Sequence, residues 1–154
     1  MSVLGTGLLV FMLQTGVFDA AGAGIVFLLA RLLFGGVVAF TGVNNFTSAD
    51  QMVAYADAKG IPAASLLVPF SGGQLLFGGL AIVLGVYPVL GAGAIAVFLP
   101  IAAVTMHDFW AVPEEEQQTE MTQFLKNVVM TGGALAFLAV GGIDWPYAVG
   151  IGTF

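Results

Sequence analysis

Residues Ala20–Phe46 read AAGAGIVFLLARLLFGGVVAFTGVNNF, with one charged side chain, Arg31, in the whole stretch. A helix crossing a bilayer needs about 20 mostly apolar residues, and this stretch exceeds that. Asp19 stands before it as an expected N-cap. Three more stretches qualify. Residues 63–87 follow Pro62, which suits the first turn of a helix. Residues 88–106 follow after the short turn Val86-Tyr87-Pro88, which forces an antiparallel hairpin. The fourth stretch covers 122–142.

None of these stretches alternates with a period of two, and all are too long for membrane strands. Inside lipid every backbone amide must be paired, and a helix pairs its own. The expectation is therefore an all-α protein, a transmembrane four-helix bundle over 20–146. An apolar extension over 1–19 precedes it, with a fifth helix there as the alternative, and a tail over 147–154 follows. The apolar run Val3–Phe18 is short and interrupted by Gln14. A signal peptide is a weaker reading, since no Lys or Arg precedes the run.

The whole composition agrees. Of 154 residues, 59% are hydrophobic and 8% charged, and mean hydropathy is +1.03. A soluble domain carries about 25% charged residues, so this chain cannot cover a water-facing globule. Three Lys+Arg exclude a nucleic-acid binder. Zero cysteines exclude a disulfide, a dithiol or an iron–sulfur cluster, and one histidine excludes bis-His haem within one chain. The net charge of −6 favours repulsion from anionic lipid over attraction.

The charge is gathered in the connections 47–61 and 107–121, which fall on one membrane side, with both termini on the other. Lys59 and Lys126 lie on the loop side and mildly favour placing it in the cytoplasm. Tyr55, Phe109 and Trp110 suit one membrane interface; Tyr87, Trp145 and Tyr147 suit the other. The 22 glycines suit close helix packing in a bilayer. At about 100° per residue, Arg31, Gly35, Val38, Gly42 and Asn45 share a face. So do Ser71, Gln74, Gly78, Ala81 and Gly85; Ala96, Pro100, Ala103 and His107; and Lys126, Met130, Gly133 and Phe137. Polar residues are thereby expected to point into the bundle.

Arg31 is the sharpest signal. Placing it at mid-membrane costs about 2.5–3.5 kcal/mol, so it needs an interior partner. One role is structural, locking the bundle through helix carbonyls. A second is contact with a ligand such as a quinone headgroup, and a third is contact with another subunit. Gln74 falls at similar depth and is the expected acceptor, leaving a positive charge inside the bundle that would attract a semiquinone, a quinol-derived anion or a lipid headgroup. His107 and Asp108, with Lys126 and Asn127, form an expected interfacial cluster, either a polar cap or a proton relay. No metal-ligand spacing is present, and no nucleophile–base set. The run Glu114-Glu115-Glu116 with Glu120 reads as a solvated loop that caps the fourth span, since negative charge suits a helix N-terminus; a docking surface for a basic partner is the alternative.

Several of these features together resemble the DoxX family of small membrane proteins. They are Arg31, Gly42 near Phe46, Lys59-Gly60-Ile61-Pro62, Gly78-Gly79 before Leu84-Gly85, His107, and Lys126-Asn127 before Gly132-Gly133. The phrase His107-Asp108-Phe109-Trp110 and the acidic loop are similar to salt-adapted archaeal members. The resemblance implies a four-helix membrane bundle linked to quinone-coupled respiratory or sulfur oxidation. It also implies functional positions at Arg31, His107, Lys126 and Asn127. Two departures weaken the transfer: Gln74 stands where the family often has an acid, and Tyr87-Pro88 where it often has Thr-Arg.

The first functional expectation is an accessory or quinone-interacting subunit of a membrane oxidoreductase, in the cell membrane as a multi-pass protein. It would hold no covalent cofactor, only quinone or lipid, and its partners would be the lipid bilayer and other membrane subunits or a second copy of itself. A small transporter or channel and a structural assembly subunit are the alternatives.

Overall fold

The computed structural model describes residues 16–152. These form α1 (Ala23–Thr47), α2 (Ala49–Ala58), α3 (Ala64–Leu84), α4 (Pro88–Met106) and α5 (Glu114–Ala139). There is no strand among the described residues, only an isolated parallel bridge between Val86 and Ile151. The extension expected over 1–19 lies outside the described residues except for its last turn. There Asp19 accepts from the Gly16 N–H and does not cap α1. The N-cap is Gly22, whose φ of 82° is costly for other residues. Pro62 likewise precedes α3 without entering it, because Ala63 is the N-cap.

Three helices are long and apolar enough to cross a membrane: α1, α3 and α4, with mean hydropathy 2.2, 1.8 and 2.2 over their best windows. The expected fourth span belongs to α5, which is not among them. Its helix starts at Glu114, absorbing the acidic run as its first turn. Gln117, Gln118, Glu120, Gln123, Lys126 and Asn127 keep its first half polar. The connection 47–61 is also not a plain loop, since it contains α2, whose Ala56 is buried against Ala64 and Val68 of α3.

Glycine decides how the helices meet. On α3, Gly79 faces α1, and a Cβ there would sit 2.5 Å from both Gly35 O and Ala39 N. One on Gly42 would sit 2.5 Å from Gly72 O. Backbone therefore lies on backbone along the α1–α3 seam, the arrangement that membrane helices reach through small residues. Gly78 and Gly91 do the same for α3 and α4, where a Gly91 Cβ would lie 3.0 Å from Gly78 O.

The buried core is Val38, Leu75, Ile82, Ala92, Ile95, Leu99, Ala134, Phe137 and Trp145. Phe27 and Phe34 of α1 meet Phe137 of α5 at ring distances of 5.6 and 5.3 Å. The expected face of α1 is buried except for half-buried Asn45. That of α4 is rotated: Ala92, Ile95, Leu99 and Ala103 are inside and Pro100 is exposed. On α5, Lys126 is exposed while Asn127 is buried. Leu33, Phe40, Phe70, Phe77 and Val129 point outward, as lipid-facing side chains do.

Candidate functional site

Arg31 is enclosed at 0% exposure, and each of its three side-chain nitrogens donates to a carbonyl. Nε donates to Ile82 O at 3.0 Å, Nη2 to Val83 O at 2.6 Å and Nη1 to Pro146 O at 2.7 Å. The expected pairing with Gln74 does not occur. Helices α1 and α3 run antiparallel, so Arg31, on the third turn of α1, meets the last turn of α3. Gln74 lies more than two turns away and turns to α4, donating from Nε2 to Ala94 O at 2.7 Å. For the same reason Arg31 sits toward one end of the bundle.

The purpose of this geometry is visible in the four carbonyls that end α3, which have no partner within the helix. Ala81 O accepts from the N–H of the C-cap Gly85 and from Val86 N–H at 3.0 Å, and Leu84 O from Val149 N–H at 2.8 Å. Arg31 takes the two between. Its cation therefore stands at the negative end of the α3 dipole, and its guanidinium lies 5.4 Å from the Trp145 ring. Expected in the aromatic belt, Trp145 is instead buried, donating to Val140 O at 2.8 Å.

Gln74 lines a groove of about 1000 Å³ between α3 and α4, walled by Phe70, Phe77, Leu80, Leu84, Tyr87 and Leu90. Gly73, Gly78 and Gly91 give it depth by bringing no side chain. Gln74 supplies its only amide, and Tyr87 stands at the end near the α3–α4 turn.

The second polar assembly lies at the opposite end of the helices. Glu120 of α5 is its centre. Its Oε2 is 2.9 Å from His107 Nδ1, and its Oε1 accepts from the Tyr55 hydroxyl at 2.8 Å. That hydroxyl is also 2.8 Å from Met106 O. Lys59 bridges Asp108 at 2.5 Å and approaches Glu120 at 3.8 Å. The cluster thus joins α2, the end of α4 and the start of α5.

Of the expected members, His107 and Asp108 belong. Lys126 does not, since it is exposed and bonded to Gln123 on its own helix, and Asn127 lies inside a deeper turn of α5, where its carbonyl accepts from Thr131. Tyr55, Lys59 and Glu120 were missed as a set. Their signal was the spacing of Tyr55 and Lys59, four residues apart on one helical face.

The cluster's electrostatics favour carboxylates. Burial opposes the Glu120 charge, but hydrogen bonds from His107 and Tyr55 and the Lys59 charge outweigh it, and its pKa lies below the ordinary value. The hydrogen bond from Lys59 lowers that of Asp108. Burial and then Glu120 push the Tyr55 phenol up. Depressed carboxylate values contribute stability that is complete above the unfolded pKa, about 4, and is lost as pH falls through the folded values. The protection of α2 amides, their exchange relative to the intrinsic rate at each pH, is therefore expected to hold from neutral pH down to about 4.5 and to fall below. Glu120→Gln is expected to give fast α2 exchange already at neutral pH. Protection of α2 that ignores both changes would remove the clamp from Glu120.

No group of three or more His, Cys, Asp or Glu that could hold a metal occurs among the described residues. In comparison with known proteins, the model of the family described as DoxX matches residues 26–108, more than half of the chain. No curated protein and no solved structure matches.

Proposed function

This chain belongs to the DoxX family of membrane proteins, and from that premise we propose that it is an accessory subunit of a membrane oxidoreductase or respiratory complex. In this reading it carries no redox centre of its own, and its α3–α4 groove receives a quinone or a lipid chain. The observation that carries the reading is the groove: apolar walls, about 1000 Å³, and one amide part-way along it at Gln74. Ligand sites typically combine apolar walls with a few placed polar groups. Gln74 would orient a ring carbonyl or hydroxyl, while the phenylalanines would hold the apolar body.

The groove takes over the ligand role considered for Arg31, whose enclosed fork already serves three carbonyls. Between Arg31 and the His107 cluster lie Val38, Leu75, Ile95 and Leu99, all buried. That apolar barrier favours a subunit that holds a ligand over one that conducts ions.

The test is native mass spectrometry after mild extraction from the membrane. Redox subunits and a quinone or lipid are expected to travel with the chain. Gln74→Leu is expected to lower retained quinone by about 2- to 10-fold, the worth of one hydrogen bond. A chain that leaves the membrane alone and empty, or a Gln74→Leu protein with unchanged quinone content, would overturn the proposal.

A further inference from the structure

At the end of the molecule opposite the ionic cluster, the chain after α5 turns back across the C-terminus of α3 as a strap, with Tyr147 and Gly150 in the left-handed region at φ 55° and 72°. Its inner edge is held by backbone bonds. Val149 N–H donates to Leu84 O at 2.8 Å, Gly150 N–H to Gly85 O at 3.2 Å, and Tyr87 N–H to Ile151 O at 2.7 Å. Ala148 packs inward against the core, whereas Tyr147, Val149 and Ile151 point out, at 68%, 58% and 49% exposure. A tail in water has no reason to place an aromatic and two β-branched residues in its outward row. The row is continuous with exposed Leu84 and Tyr87, at the level where α3 leaves the apolar zone.

The two ends of the molecule contrast. The far end exposes Asp50, Gln51, Glu114 and Glu115. Among the described residues, the charged side chains at the strap end are acidic, Asp19 and Asp144, or enclosed, as Arg31 is. We propose that the strap is an interfacial membrane element, with the Tyr147–Val149–Ile151 row lying in the headgroup–acyl boundary of the bilayer that surrounds the helices. Apolar burial holds it there. With acidic neighbours and no free cation on the strap, attraction to anionic headgroups has no part.

The absence of cysteine makes the test direct. Spin labels are placed at Val149→Cys and, separately, at Ile151→Cys, which leave the backbone bonds in place. Reference labels go at Gln51→Cys and Glu115→Cys. Each full-length protein is reconstituted in vesicles of zwitterionic lipid and in vesicles containing anionic lipid, and collision with oxygen and with a nickel chelate is measured. The strap labels are expected to favour oxygen and the reference labels the chelate, with no shift between the two lipids. Strap labels reached by the chelate as readily as the references would place the strap in water and overturn the proposal. Strap labels reached by neither collider would put protein, such as a second copy, over the row and overturn it as well. A deeper position in anionic vesicles would overturn the apolar origin.

Discussion

Arg31→Met is expected to destabilise the protein by about 3 kcal/mol or more, since each buried carbonyl left without a donor costs about 1–3 kcal/mol. Methionine fills much of the space, so the loss comes from the carbonyls. Ile82 O, Val83 O and Pro146 O would each lose their donor, in surroundings where no water replaces it. Unfolding in mixed micelles of rising sodium dodecyl sulfate content measures the loss. A second readout is specific to the role: Trp145 loses the guanidinium, and the strap loses its link through Pro146, so Trp145 emission should shift to the red and the C-terminus should become protease-sensitive while the helices persist. Arg31→Lys should recover only part, because a single ammonium cannot spread over three carbonyls as a planar fork does. Wild-type stability in Arg31→Met would show that the α3 end needs no cap.

Gly79→Ala is expected to cost about 3 kcal/mol, the upper end for overpacking. The neighbours 2.5 Å from the new methyl are the backbone of Gly35 and Ala39, which cannot swing aside like a side chain. The α1–α3 seam must open along its length, loosening the Gly42–Gly72 contact too. Gly132→Ala is the control. A Cβ there meets nothing within 4 Å, so the substitution should be neutral or should gain up to about 1 kcal/mol from helix propensity. The same unfolding titration compares them, and equal behaviour of the two variants would mean that the seam is not set by close contact.

The membrane class and the apolar helices were legible because lipid leaves a chain few options, and long uncharged stretches announce the one taken. The turn expected at Val86-Tyr87-Pro88 was legible to within a residue: Gly85 caps α3 and Pro88 already opens α4. The face of α1 was readable because its small residues and Arg31 repeat at helical spacing. What escaped depends on register between helices far apart in sequence. Arg31 and Gln74 appear equally deep when each span is measured from its own end, yet the α1–α3 crossing assigns Arg31 to Ile82 and Val83. The clamp on Glu120 needs α2, which hides in a connection whose polar composition reads as loop. The strap is one short segment whose partners are backbone atoms, and backbone atoms leave no trace in side-chain pattern. The groove comes from missing side chains at Gly73, Gly78 and Gly91, and sequence alone does not tell a glycine that opens space from one that closes a seam.

The acceptors of Arg31 are separated from it by 51, 52 and 115 positions along the chain. During synthesis from the N-terminus, the guanidinium therefore emerges long before anything that satisfies it. Its first two acceptors arrive with α3, and the last only after α5 has been made. Insertion of α1 by itself leaves an unshielded cation, so α1 is expected to stay with the insertion machinery until α3 joins it. A nascent chain stopped short of Pro146 would lack the final bond, which makes synthesis of the segment after α5 a checkpoint on assembly.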